Sequence, residues 1–424
     1  MQSSIPVALV IFIVSMIAIT TEKVHKTSAA ILGGMLMVIF GLESQSVAFS
    51  NVDWNVIFLL IGMMIITSIT KRTGLFQYIA IRLAKLARGE PVAIILMLSV
   101  ATAVISALLD NVTTVLILVP ITFLIAVELN VAPTPFVVAL ALASNVGGTA
   151  TLIGDPPNIM IGSAAGLGFS DFLAYTAPVV VVNLVALCAF IFLVFRKSLV
   201  VTNERKARIL AFDHAKAIED KPLLVKSLVV LGAVMAAFVL HSRLGLEPST
   251  IALSGAAVLL IASGTRDVEA ILGEIEWTTI MFFLGLFMLV GGLVETGIMT
   301  QASASVLGAT TGHMGATTML ILWASGLLSG ILDNIPFVAT MIPLIQDMGV
   351  TLGASAVRPL WWALSLGACL GGNGTLIGAS ANVVAVGISR KNGNHISFWD
   401  FTKYSAVYTV ISLAVSSAYM LIRF

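Results

Sequence analysis

Residues 108–120 read LLDNVTTVLILVP, and there an aspartate and an asparagine, Asp110 and Asn111, interrupt two long apolar runs. A charge at the centre of a bilayer costs at least about 2.5–3.5 kcal/mol on insertion scales. A chain that keeps one there either uses it or folds it into a turn. Residues 331–343 read ILDNIPFVATMIP, a near copy, so the same reason must serve Asp333 and Asn334.

Outward from these two points the chain is apolar from end to end. Of its 424 residues, 58% are hydrophobic and only 10% charged, more apolar surface than a water-soluble domain needs. About 20 residues of helix cross roughly 30 Å of hydrocarbon, and apolar runs near that length recur throughout. The alternation of a β-barrel is absent. The fold class is therefore an all-α polytopic membrane protein. The opening MQSSIPVALVIFIVSMIAIT lacks a basic region and a clear cleavage site, and reads as a retained first crossing. A net charge of +1 suggests no nucleic-acid partner. Cys188 and Cys369 form no metal pattern. No nucleophile–base set marks an enzyme, and neither a metal nor a cofactor is expected.

The two Asp-Asn pairs belong to an internal repeat. Trp54 matches Trp277, Gly62 matches Gly285, Gly74 matches Gly297 and Pro120 matches Pro343, all in step with Asp110 and Asp333. One residue is then gained, and GGTATLIGDPPN from Gly147 matches GGNGTLIGASAN from Gly371. The sequence divides into a first repeat, 1–195, a charged linker, 196–222, and a second repeat, 223–424. In the first, crossings are expected near 6–20, 27–41, 54–70 and 174–195. An amphipathic interfacial helix with Arg82, Lys85 and Arg88 begins at Phe76. Two arms, about 91–109 and 112–128, flank Asp110, as full crossings or a re-entrant hairpin. A helix broken over 145–158 follows. The second repeat has crossings near 224–240, 249–264, 277–294 and 402–422, arms around Asp333, and a break at 371–382. Five crossings per repeat, plus a hairpin that returns the chain to its own side, invert the second repeat relative to the first.

Basic residues test that topology. Lys23, Lys26, Lys71, Arg72, Arg82, Lys85, Arg88, Arg196, Lys197, Arg205, Lys206, Arg208, Lys216, Lys221, Lys226, Arg266, Arg390, Lys391 and Lys403 fall on one face, and only Arg243, Arg358 and Arg423 on the other. The basic face, with the linker, reads as cytoplasmic and both termini as external, in the inner membrane.

Asp110 and Asp333 are expected to be the only acids deep in apolar sequence, with no lysine or arginine comparably placed. Each is a proton carrier or cation ligand, or an N-cap of the arm that follows. The glycine-rich breaks would expose helix N-termini and unwound carbonyls, which survive at membrane depth only inside protein or beside a polar cavity. Inversion should bring both tips and both breaks together. The expected solute site comprises Asn111, Thr113, Thr114, Asn145, Gly147, Gly148, Thr149 and Thr151 from the first repeat. Asn334, Gly371, Gly372, Asn373, Gly374 and Thr375 come from the second. Asp155, Asn158, Asn382 and Cys369 are secondary candidates. Asp155, before two prolines, also fits a turn, and a lone Cys369 also fits a small buried residue.

DNVTTVLILVP followed by SNVGGTATLIGDPPN resembles the ion transporter superfamily, and within it the group of arsenite efflux permeases, NhaD-type sodium/proton antiporters and the P protein. The likeness spans nearly the whole chain. It implies a scaffold around mobile hairpin tips and broken helices, often a homodimer, and in some arsenite permeases a separate cytoplasmic ATPase subunit. The function it implies is export of arsenite or antimonite in exchange for protons, by alternating access. Arsenite is an uncharged trihydroxide near neutral pH and wants neutral donors and acceptors, while the two aspartates carry protons. A sodium/proton antiporter would use the same residues as sodium ligands. A dicarboxylate carrier ranks lower, for want of a cation in the site, and a channel lower still.

Overall fold

The computed structural model describes residues 5–21, 23–264, 267–310 and 312–424, and these are helical with no strand among them. The first repeat forms α1 (Ile5–Thr21), α2 (Lys26–Ile39), α3 (Gln45–Ser50), α4 (Trp54–Lys71), α5 (Leu75–Leu86), α6 (Pro91–Leu108), α7 (Asn111–Leu129), α8 (Thr134–Gly148), α9 (Pro156–Ala165), α10 (Phe169–Tyr175) and α11 (Ala177–Phe195). The linker holds α12 (Asn203–Ala211). The second repeat forms α13 (Lys221–Leu244), α14 (Pro248–Ser263), α15 (Val268–Leu272), α16 (Trp277–Glu295), α17 (Ile298–Ala309), α18 (Met314–Ser329), α19 (Asn334–Leu352), α20 (Arg358–Gly371), α21 (Ser380–Lys391) and α22 (Phe398–Arg423). Eight of these, α4, α6, α7, α11, α13, α16, α19 and α22, are long and apolar enough to cross a bilayer. The protein is thus a polytopic all-α membrane protein.

Local chemistry sets the helix ends. Asp53 caps α4, accepting from the amides of Asn55 and Val56 at 3.0 and 3.1 Å, and Asp220 caps α13. Prolines open α6 and α9, where the missing N–H leaves no bond unmade. The matched glycines Gly74 and Gly297 sit at φ 79° and 74°. That left-handed turn, which favours glycine, carries the chain from a long apolar helix, α4 or α16, into the shorter α5 or α17. The breaks are narrower than the sequence suggests: α8 runs on to Gly148 and α9 restarts at Pro156, while α20 reaches Gly371 and α21 restarts at Ser380.

The helices form two groups. In one, α2 packs along α16 and α4 along α14, with α1 and α13 outside them. In the other, the arms α6 and α18 pack against the broken helices α8 and α20, α7 lies against α21, α19 against α9, and α11 meets α22. Helices α5 and α17 bridge the groups.

Each repeat is interleaved with the other. A Cβ on Gly62 would meet Ala252 and Leu253, and a Cβ on the matched Gly285 would meet Ala30 and Ile31. That reciprocal exchange is what a two-fold relation produces. The two copies run in opposite directions. The start of α4 lies at the end of α16, where Gly291 approaches Asn51. The end of α4 lies at the start of α16, where Arg72 bonds Glu274 at 2.7 Å. Helix α4 and its sequence counterpart α16 are antiparallel.

The charged segment between α11 and α13 rests on α5 and the loops that flank it. The Glu219 amide donates to the Thr73 carbonyl at 3.0 Å, Lys85 donates to the Phe212 carbonyl at 2.8 Å, and Lys206 pairs with Glu90. Arg266, counted on the basic face, lies outside the described residues.

Candidate functional site

Both hairpin tips are built alike. Asp110 begins α7 and accepts from the Thr113 amide at 2.7 Å, and Asp333 begins α19 and accepts from the Ile335 amide at 3.1 Å. Each tip is then tied to its own repeat's break by three matched bonds. The Asn111 amide donates to the Gly154 carbonyl at 3.1 Å, and the Asn334 amide to the Gly378 carbonyl at 3.2 Å. The Ser106 hydroxyl donates to the Ser144 carbonyl at 2.6 Å, and Ser329 to that of Ala368 at 2.7 Å. Thr151 donates to the Ala107 carbonyl at 2.6 Å, and Thr375 to that of Gly330 at 2.5 Å. Among their acceptors, the Gly154 and Gly378 carbonyls lie where the chain has left the helix, and the tip amides satisfy them. The arms need glycine to come this close. A Cβ on Gly147 would lie 2.0 Å from the Ala103 carbonyl oxygen, and one on Gly371 would lie 2.4 Å from that of Gly326.

The breaks cross one another through a buried chain of amides. Asn145 accepts from Asn111 at 2.9 Å and donates to Asn373 and Asn382 of the other repeat at 2.8 and 3.0 Å. Asn158 donates to the Thr151 carbonyl at 2.9 Å, and Asn382 to those of Gly372 and Thr375, both at 3.0 Å. Cys369 takes the position matching Asn145, with its Sγ 3.5 Å from the Asn158 oxygen. Asn158 and Asn382 are thereby the locks of the two unwound loops.

A cavity of about 360 Å³ lies between the helix groups. It is walled by Leu60, Met64, Leu116, Phe282, Val383 and Val384, and its polar lining is Asp110, Asn111, Asp155, Glu276, Asp333, Asn334, Ser380 and Lys26, with Thr278 and Thr279. Thr278 is exposed, and it lies with Lys26 and Glu276 at the ends of α2 and α16 on the basic face. On the opposite face a second cavity, of about 400 Å³, lies over Asn55, Leu152, Ile159, His241 and Ser249 and is lined by no tip residue. The tips are reached from the basic face.

Of the expected site residues, Asp110, Asn111, Asp155, Asp333 and Asn334 line the cavity. Asn145, Asn158, Asn373, Asn382, Thr149, Thr151, Gly147, Gly148, Gly371, Gly372 and Cys369 are buried beneath it. With Thr375 and Gly374 they form the crossing that supports the tips. Thr114 bonds the Asp110 carbonyl at 2.8 Å, and Thr113 contributes its amide. The cavity also holds Glu276, an acid outside the expected site, beside Asp110, Asp333 and the secondary candidate Asp155. A cation is present too: Lys26 bonds Asp333 at 2.9 Å and Ser380 at 2.7 Å. The sequence places Lys26 and Glu276 in loops, and only the packing of α2 against α16 carries them to the cavity between the tips, Lys26 to the second tip.

The electrostatics have a simple pattern. Six helices, α2, α7, α9, α16, α19 and α21, begin at the cavity, and four of them have a carboxylate at the N-cap: Asp110, Asp155, Glu276 and Asp333. Helix α21 has Ala379 there, and Lys26 and Ser380 lie beside it. Each helix start carries roughly half a positive charge. Six starts and one ammonium therefore come close to balancing four carboxylates. Asn111 adds a buried side-chain oxygen without a hydrogen-bond partner among the described residues.

The whole arrangement has known relatives. An uncharacterized transporter of Mycobacterium bovis is 46% identical over 423 residues, covering 99% of this chain and 98% of that one. The mouse P protein is 34% identical, over 95% of this chain and 58% of the relative. The crystal structure of the Alcanivorax borkumensis YdaH transporter superposes with a TM-score of 0.57 at 15% identity, covering 86% of this chain and 84% of that one. That likeness supports the fold alone. The family model described as citrate transporter matches residues 16–367. The chain belongs to the citrate transporter family and is a membrane transporter.

Proposed function

We propose that the protein is a secondary active transporter that moves a small carboxylate-bearing anion together with protons, alternately opening the tip cavity to each face. The observation that carries this reading is the charge balance of the cavity. With all four carboxylates ionised, the helix starts and Lys26 are offset and an anion gains little. Each proton taken up by a carboxylate leaves the positive side in excess by one charge. The cavity then attracts an anion in proportion to the protons it holds, which is a coupling mechanism made of fixed dipoles. The family's description as citrate transporters supports the same solute class.

Exchange of arsenite or antimonite for protons, expected from the motif resemblance, calls for neutral hydrogen-bonding groups facing the solute. Most of the asparagines and threonines expected to supply them are bonded within the crossing beneath the cavity. The carboxylate reading therefore stands ahead. Sodium in place of the proton has one observation in its favour, the unpartnered Asn111 oxygen beside Asp110 and Asp155, which is a sodium ligand of ordinary kind.

Everted membrane vesicles test all three. Citrate, arsenite and sodium-dependent proton movement are followed in parallel, with and without an imposed proton gradient. Proton-driven citrate flux that is lost in Asp110→Asn supports the proposal. Arsenite flux without citrate flux, or sodium–proton exchange alone, overturns it in favour of the reading observed.

A further inference from the structure

We infer that Lys26 is a one-sided ionic latch that holds the unloaded carrier open toward the basic face. Lys26 belongs to the helix group of α2 and α16, and its ammonium also lies 5.2 Å from the centre of the Phe282 ring on α16. Asp333 and Ser380 belong to the other group, at the second hairpin tip and the start of α21. The two bonds of Lys26, with the Ser380 hydroxyl donating to Asp333 at 3.2 Å, make a closed triad across the cavity. Among the described residues, this is the one ion pair within 4.0 Å that joins the two helix groups. The side chains are 24% and 12% exposed, so solvent screens the pair less than a surface bridge.

Among the described residues, the latch has no counterpart on the opposite face. The contacts that relate Gly62 to Gly285 place Pro248 in the position matching Lys26, and Ser249 in that matching Thr27. The neutral contacts beside the two positions are kept. Thr27 donates to the Thr278 carbonyl at 2.8 Å on one face, and Ser249 to the Asn55 side chain at 2.8 Å on the other. Only the charge differs. Moving the tip group toward the other face separates Asp333 from Lys26 and offers Asp333 no other ammonium. The pair therefore weights the empty carrier toward the state seen here. A solute carboxylate entering the cavity competes with Asp333 for the same ammonium and frees the tip. Reorientation then follows loading, which suppresses leak of the coupling ion. This last step rests on the proposed anion solute; the latch itself does not.

The test uses the full chain with Val383→Cys as a reporter, because Val383 lines the cavity on α21. Labelling by a membrane-impermeant thiol reagent is followed in everted vesicles without solute, relative to the chain that lacks the reporter. Lys26→Gln should lower the ratio of open to closed carrier by up to about fivefold, the shift that loss of a partly shielded ion pair produces, and slow labelling measurably but by less than that factor. Lys26→Arg should keep the parent rate, and Ser380→Ala should slow it by less than Lys26→Gln. Asp333→Asn should match Lys26→Gln, and the double variant should be no slower than either, because both remove one interaction. Parent-rate labelling in well-folded Lys26→Gln, or independent effects that multiply in the double variant, would overturn the latch. These rates are read without solute, so a failure to transport citrate leaves the result intact.

Discussion

Truncating Asn145 to alanine is the sharpest test of the crossing between the repeats. The side chain is fully buried and takes part in three hydrogen bonds, with Asn111, Asn373 and Asn382. Alanine would orphan three polar atoms that are equally shut off from water. Asn111 suffers most, since its oxygen already has no partner. A buried group left unpaired costs about 1–3 kcal/mol, so three together cost roughly 3 kcal/mol if the site relaxes and more if it does not. The two-fold relation supplies an internal control. Cys369 occupies the matching position but makes one long contact, 3.5 Å to Asn158, and Cys369→Ala should cost about 1 kcal/mol. Thermal unfolding of purified protein in detergent, read by tryptophan fluorescence, reports both. The Asn145→Ala midpoint should fall on the order of 5 °C and that of Cys369→Ala by about a third as much. Equal shifts, or an Asn145→Ala midpoint that does not move, would refute the view that the crossing depends on this amide.

Three further outcomes are expected. Asp110→Asn keeps a side chain that caps as well as aspartate does, so the unfolding midpoint should hold within about 0.5 kcal/mol while proton-coupled transport is lost; wild-type flux and pH dependence would reduce Asp110 to a cap. Gly147→Ala and Gly371→Ala each place a Cβ against backbone oxygen, at 2.0 and 2.4 Å, and should each cost about 2 kcal/mol or more in the same assay. Glu43, in the loop after α2, is pushed from 4.5 up to about 7 by burial, its hydrogen bond from Asn51 pulling back and Glu295 adding to the rise. A carboxyl whose folded value lies above its unfolded one stabilises below the unfolded value, and that contribution is lost as pH rises. The thermal midpoint should therefore fall between about pH 4.5 and 7 by more in the parent than in Glu43→Gln, and parallel pH profiles would contradict the assignment.

Much of this architecture was legible before any coordinates. The apolar runs specify a polytopic all-α membrane protein, and the matched tryptophans, glycines and Asp-Asn pairs point to two copies of one unit. They do so because bilayer length and residue identity are read from short, local stretches of chain. The tips were legible for the same reason, an acid in an apolar run being its own signal. What local signals do not carry is which polar group faces the cavity. Asn145 and Asn373 look like solute ligands in sequence, and three-dimensional packing spends them on each other. Lys26 and Glu276 look like loop charges, and the packing of α2 against α16 turns them into cavity lining. A signal for Lys26 did exist. It is a lysine at the very start of an apolar helix whose counterpart in the other repeat begins with proline.

The interleaving of the repeats also bears on how the protein is made. Helices α2 and α4 find their main partners in α16 and α14, not in each other. Gly62 and Gly285, at the two matched contacts, lie 223 residues apart in the chain. At roughly 5–20 residues per second of synthesis, α4 waits ten seconds or more in the lipid before α14 and α16 emerge. During that interval the first repeat stands in the bilayer with its small-residue helix faces uncovered and the Asn145 amide unmatched. The newborn half-protein is therefore the stage at which a membrane chaperone or a quality-control protease would have the most to grip.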